Sequence, residues 1–167
     1  MKVAGAVIAL AMVAACAQRP AGQSPAVTDT GAEAEAEVAL PRVVFPDGYQ
    51  VHVELATDQA TRAQGLMYRG QLRDHWGMLF FFPEVSVHGF WMKNTLIPLD
   101  IIWIDAQRRV VAVRHDVPPC QADPCPSYDP GVPANYVLEV AGGVARRHGI
   151  SDGAQLRFEG LDDVTAR

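Results

Sequence analysis

The chain has 167 residues, 49% of them hydrophobic, and a net charge of −5, which is room for one domain with one core. An acidic chain without a Lys/Arg cluster lacks the electrostatic footprint with which proteins neutralise nucleic-acid phosphates, so no nucleic-acid partner is expected. There is no G-x-S-x-G, no H-E-x-x-H, no phosphate-cradling glycine loop and no dinucleotide fingerprint, and only four serines occur; standard hydrolase and nucleotide machinery is missing.

Residues 1–15 read as an export signal. Lys2 is a minimal positive n-region, Val3 to Met12 is apolar but too short for a permanent span, and Val13-Ala14-Ala15 closes the segment with small residues before Cys16. Val-Ala-Ala-Cys resembles the lipobox of bacterial lipoproteins, with Val13 where Leu is more usual. That resemblance implies lipidation of Cys16, each buried methylene contributing ~0.8 kcal/mol to a membrane anchor. Ala17 is not the acidic residue that retains such proteins at the inner membrane, which favours the periplasmic side of the outer membrane. The alternative is an ordinary secretory signal, leaving a soluble periplasmic protein with Cys16 incidental. Residues 16–40 are rich in Ala, Glu, Gly, Pro, Thr and Ser without an aromatic residue. They form a linker that cannot bury enough surface to offset its ordering entropy, with a root-mean-square reach of ~25 to 30 Å as a flexible coil.

The globular domain is expected over 41–160, followed by a tail at 161–167. Val51, Val53 and Leu55 alternate with Gln50, His52 and Glu54, a period-2 strand, and the turn signal Pro46-Asp47-Gly48 pairs it with Arg42 to Phe45. Thr57 or Asp58 can cap a short helix through Gln64, with Ala60 and Ala63 on its inner face and Gly65 near its end. Short apolar runs follow at Met78 to Phe82, Gly89 to Met92, Leu99 to Ile104 and Arg109 to Val117. In the third, Leu99, Ile101 and Trp103 point one way and Ile102 and Ile104 the other, so both faces are apolar and the strand is central. Tyr136 to Val140 and Gln155 to Glu159 add two more strands, with helical turns at Gly143 to His148 between them. These elements make a mainly β (α+β) fold: a single compact sandwich or barrel-like domain of seven to eight short strands with one or two short helices.

Cys120 and Cys125 form an even pair once Cys16 is set aside. Their spacing is not C-x-x-C, and Pro119, Pro124 and Pro126 stiffen the segment. A structural disulfide is favoured in an oxidising compartment, with a redox role as the alternative.

Much of the chain from Val51 to Phe158 is similar to a prokaryotic family, domain of unknown function 192. The resemblance runs through Arg62, Gly65-Leu66-Met67-Tyr68-Arg69, Gly77-Met78-Leu79-Phe80, Phe90 to Asp100, Pro119-Cys120, Cys125-Pro126, Tyr128, Leu138-Glu139 and Gly149-Ile150. Two positions depart from the pattern: Thr61 stands where Glu usually precedes the arginine, and Gly153-Ala154 replaces Gly-Asp. Roles for those two carboxylates do not carry over.

Within FWMKNTLIPLD, from Phe90 to Asp100, the polar residues Lys93, Asn94, Thr95 and Asp100 interrupt apolar sequence. A carboxylate entering a central strand must be paired or have its pKa raised. The architectural reading has Asp100 accepting hydrogen bonds from Lys93, Arg62 or Arg69 and from backbone amides. The functional reading has Lys93, Asn94 and Thr95, with Arg62 and Arg69, lining a pocket for a small polar or anionic ligand or an envelope partner, with Asp100 orienting the lysine. The function expected is therefore non-catalytic binding by an envelope-tethered domain. One alternative is an enzyme acting on a carbohydrate or carbonyl compound with Asp100 or Lys93 as acid or base. Another is soft-metal binding, Cu(I) or Ag(I), through Met67, Met78 and Met92 with His88 nearby, although methionines inside apolar strands ordinarily fill the core. Scattered histidines speak against catalytic zinc, and nothing in the sequence calls for a cofactor.

Overall fold

The structure is a computed structural model that describes residues 40–167. The export signal, Cys16 and all of the expected linker except Leu40 lie outside the described residues.

β1 (Arg42–Val44) and β2 (Gln50–Ala56) form the expected antiparallel hairpin. Its turn is fixed by Phe45 N–H donating to the Tyr49 carbonyl and by Asp47 accepting from Tyr49 N–H, with Gly48 at φ 89°. α1 (Gln59–Gln64) starts at Asp58 rather than Thr57. Asp58 Oδ1 accepts from Thr61 N–H at 2.9 Å, and Thr61 Oγ1 accepts from Asp58 N–H at 3.3 Å. This is a capping box in which Thr61 takes the place ordinarily held by Glu or Gln.

α1 has no buried residue, and Ala60 and Ala63 are exposed, which corrects the expected inner face. Arg62 fastens the helix instead. Its guanidinium donates to the carbonyls of Thr57, Phe81 and Arg167 and lies 5.6 Å over the Phe82 ring. A fork of donors holds a one-and-a-half-turn helix that two methyl groups bury too little surface to hold.

β3 (Trp76–Ser86), β4 (Phe90–Trp91), β5 (Leu99–Ile104), β6 (Val110–Val117), β7 (Ser127–Tyr128), β8 (Ala134–Ala141), α2 (Val144–Arg147) and β9 (Arg157–Glu159) complete the domain. Seven strands form one sheet in the order β6-β5-β8-β3-β2-β1-β9, and β4 pairs with β7 in a separate two-stranded ribbon. β2 and β3 are parallel, and the other pairs are antiparallel. The sheet curls until its two edges meet at one end: Arg109 bridges Gln155, Val110 N–H donates to the Ala154 carbonyl, and Leu156 N–H donates to the Arg108 carbonyl. The result is mainly β and barrel-like, as expected, with nine strands among the described residues against the expected seven to eight. The added strand is β7, whose two residues carry no periodic pattern.

β5 is buried along its whole length. Ile102 and Ile104 pack with Phe45, Leu79 and Leu138, whereas Leu99, Ile101 and Trp103 pack with Phe80, Met92 and Val137. The curled sheet therefore has two apolar faces, and β5 contributes to both. Residues 161–167, expected as a tail, pack against the first of these clusters: Leu161 is 4% exposed, and Val164 and Ala166 lie against the same core. Three apolar residues give this short segment surface worth burying.

Candidate functional site

The parallel pairing of β2 with β3 needs a crossover, which carries α1 over the face holding Phe80. Between α1 and the β3–β4 segment lies an open cleft of about 280 Å³, its walls Arg62, Ala63, Phe80, Phe82, Phe90 and Trp91. Phe90 stands edge-on to Phe80 at 5.0 Å and to Trp103 at 6.0 Å, so the rings are braced against each other. Trp91 is half exposed. Adjoining it, and sharing Arg62, Ala63, Phe80, Phe90 and Trp91, is a smaller chamber of about 30 Å³ lined also by Gly65, Met67, Thr95 and Glu139, room for one or two water-sized groups.

Glu139 is the chemical centre of this chamber. Along β8, Leu138 and Val140 face the first cluster, so strand alternation turns Val137 and Glu139 toward the second. The residues opposite Glu139 on the flanking strands are Met78 and Ile101. The side chain is 4% exposed, and no group among the described residues donates a hydrogen bond to it. Burial pushes its carboxyl up to about 8, so at neutral pH Glu139 is an uncharged acid, able to donate as well as accept. Gly65, at φ 49°, keeps the chamber open: a Cβ there would lie 3.4 Å from Phe80 and 3.9 Å from Glu139 Oε2. Thr95, also buried, lines the same space.

The predicted site residues separate. Asp100 lies on the opposite face of the sheet, wholly buried, where Oδ1 accepts from Asp116 N–H (2.8 Å) and Gly143 N–H (3.1 Å) and Oδ2 from Ala145 N–H (2.7 Å). α2 has no side-chain cap from Gly143, and Asp100 serves its first amides from across the sheet. The expected pairing with Lys93, Arg62 or Arg69 does not occur, because alternation on β5 points Asp100 away from all three. Lys93 instead donates to Asp123 at 3.1 Å and sits 5.5 Å over the Trp91 ring, at the cleft's rim. Arg69 forms a bidentate pair with Glu54, and its guanidinium holds the Glu54 carboxyl below the usual carboxylate range.

Asn94 adopts a left-handed conformation (φ 57°) and is bracketed on both sides. Its carbonyl accepts from Tyr68 N–H, its N–H donates to the Cys120 carbonyl, and its amide group donates to the Tyr68 hydroxyl. Cys120 N–H in turn donates to the Met92 carbonyl, and Cys120 is joined to Cys125 as a disulfide. The disulfide loop thus backs the turn that carries Lys93, Asn94 and Thr95. Of the soft-metal candidates, Met78 and Met92 are buried in the core, Met67 lines the chamber, and His88 is stacked 3.6 Å from Phe82, with burial lowering its pKa.

Sequence reasoning brought Thr95 and Arg62 to this site and missed Glu139. A signal was present: a single carboxylate inside the otherwise apolar run Tyr136 to Val140. It is the feature that drew attention to Asp100.

A curled, mostly antiparallel sheet with a crossover helix and an acid-floored aromatic cleft defines a small mainly-β domain. Residues 42–158 match the family DUF192, described as Uncharacterized ACR, COG1430, and the chain belongs to that family. A UPF0127 protein of Thermococcus gammatolerans is 32% identical over 113 residues, covering 65% of this chain and 67% of the relative. Two solved structures share the fold at 36% identity. One, from Sinorhizobium meliloti 1021, is named as a candidate transcription regulator (TM-score 0.65; 72% of this chain, 93% of that one). The other is a protein of unknown function from Novosphingobium aromaticivorans DSM 12444 (TM-score 0.64; 70% and 82%).

Proposed function

We propose that this DUF192 domain is held at the periplasmic side of the outer membrane by a lipid on Cys16 and binds a small ligand in the cleft beside α1, without catalysis. The observation that carries the reading is Glu139: an acid only 4% exposed, with no hydrogen-bond donor among the described residues, lining the space beside an open aromatic cleft. A polar group left unsatisfied in the interior costs about 1–3 kcal/mol, and a ligand that satisfies it recovers that cost. Lys93 and Asn94 act from the rim and Thr95 from the wall, while Asp100 is architectural. Among the described residues, no second carboxyl, imidazole, thiol or amine lines the chamber beside Glu139, the partner that acid–base catalysis on a carbonyl or carbohydrate ordinarily uses. With a net charge of −5, a small ligand suits the chain better than nucleic acid.

The test is thermal unfolding of the chain against a panel of small organic compounds, beside Ala63→Trp, which fills the cleft from an exposed helical position. A compound at a hundred times its Kd adds about 2.7 kcal/mol of stability, and the tryptophan variant should show no such gain. A panel that stabilises neither protein, or both equally, removes the reading. Cys16→Ser should abolish incorporation of labelled palmitate in cells; a wild-type chain that takes up none refutes the anchor.

A further inference from the structure

We infer that the ligand of this cleft is a primary amine, its ammonium group seated against Glu139 and its apolar body lying along Phe82, Phe90 and Trp91; this rests on the cleft being a ligand site. Three features point to that chemistry. The first is size: the chamber of about 30 Å³ has room for a head group of about one or two waters, which suits –NH₃⁺ better than a phosphate or a trimethylammonium group. The second is charge: the floor offers a carboxyl and a threonine hydroxyl. Arg62, the cation on the chamber wall, already donates to three carbonyls, and Arg69 on the adjacent segment is matched by Glu54. Arg62 keeps its charge, but its guanidinium N–H groups are turned to those carbonyls, so an anionic head group at Glu139 would meet a carboxyl and a hydroxyl with no donor fork aimed at it, whereas an ammonium ion meets acceptors.

The third feature is the wall itself. Aromatic faces attract cations, and two of these rings already hold one: Arg62 lies 5.6 Å over Phe82 and Lys93 5.5 Å over Trp91. The outer cleft, about 280 Å³, has space for an alkyl chain or one aromatic ring behind the head group.

The binding step balances as a proton exchange. The ammonium ion enters with its charge, the Glu139 O–H bond breaks, the proton leaves to solvent, and an ammonium–carboxylate pair remains. Of the groups facing Glu139, β3 and β5 present the uncharged Met78 and Ile101, the segment after α1 presents Met67, and α1 presents Arg62, whose charge acts equally on the free and the amine-bound site. Because burial keeps the free acid protonated up to about pH 8, amine affinity should rise with pH below that value. It then levels off while the alkylammonium stays charged, to about pH 9 or above.

The experiment is calorimetric titration of the full chain with phenethylamine and with phenethyl alcohol, from pH 6 to 8, in buffers of different ionisation enthalpy. The expected result is release of nearly one proton per amine bound at pH 6.5 and affinity rising roughly tenfold per pH unit between 6 and 7. The alcohol should bind at least about tenfold more weakly at pH 8, and Glu139→Gln should lose both the proton release and the pH dependence while remaining folded. Alcohol binding as tight as the amine's, or amine binding without proton release, overturns the amine inference and leaves the cleft reading standing. Binding of neither probe also overturns it, and the compound panel with Ala63→Trp then decides the cleft reading separately.

Discussion

Replacing Glu139 by glutamine should change how stability depends on pH more than it changes the fold. The unfolded carboxyl titrates near 4.5 and the folded one near 8. Between those values the native state holds a proton that the unfolded state has released, so stability falls as pH rises, by about 1.4 kcal/mol per unit. The loss is on the order of 3 kcal/mol by pH 7 and on the order of 5 kcal/mol above pH 8, a large share of the 5–15 kcal/mol typical of a domain. A glutamine in this position keeps the shape and a buried polar group but cannot ionise. Urea denaturation of both proteins at pH 5, 6, 7 and 8 isolates the carboxyl, because every other titrating group is common to the two. The wild type should lose ground to the variant steadily across that range. A difference that stays constant within about 0.5 kcal/mol from pH 5 to 8 would refute the claim that this side chain is buried, unpaired and protonated.

Asp100→Ala leaves three backbone amides without their acceptor, at about 1–3 kcal/mol each; chemical denaturation should show a loss of about 3 kcal/mol or more, and a loss under about 1 kcal/mol would mean the amides find water. Gly77→Ala places a Cβ 2.5 Å from the Glu139 carbonyl and 3.1 Å from Val140, so β3 and β8 must separate; a thermal midpoint unchanged by this substitution would contradict their register. Reduction of Cys120–Cys125 should cost about 2 kcal/mol by the entropy of so short a loop and speed hydrogen exchange at Asn94 N–H, which donates to the Cys120 carbonyl. Exchange there that does not respond to reductant would show that the turn is held without the disulfide.

The sequence was most informative where strand alternation decides the outcome locally. Leu99 to Ile104 read as apolar on both faces, and its alternate residues do enter two separate clusters. β3 was legible only to Phe82 because Pro83 breaks the pattern, yet the strand runs to Ser86 through a register irregularity that accommodates the proline. β7 was illegible because two residues show no period, and its pairing with β4 is a long-range event. The site failed for a related reason. Lys93 and Asp100 are seven positions apart, and their proximity in sequence suggested a pair. Whether they meet depends on which face of β5 Asp100 occupies and on where α2 lies, and α2 comes more than forty residues later. Glu139 belongs to the Leu138-Glu139 pair of the family pattern, and along β8 it is one carboxylate in an apolar run. Its want of a hydrogen-bond donor among the described residues depends on what α1, β3 and the Thr95 turn place around it, which one strand's sequence does not specify.

The crossover between the parallel strands β2 and β3 has a consequence for how this protein diversifies. A parallel pair cannot be closed by a tight turn, so the chain must travel from Thr57 to His75 before the next strand begins. That obligatory excursion forms one wall of the cleft, whereas the acid floor belongs to the sheet. Wall and floor are therefore under different constraints: residues on the excursion can change length or side chain at little cost to the fold, but Glu139 cannot move without changing strand register. What fits above the acid can therefore be changed through the excursion without disturbing the strand that carries the acid.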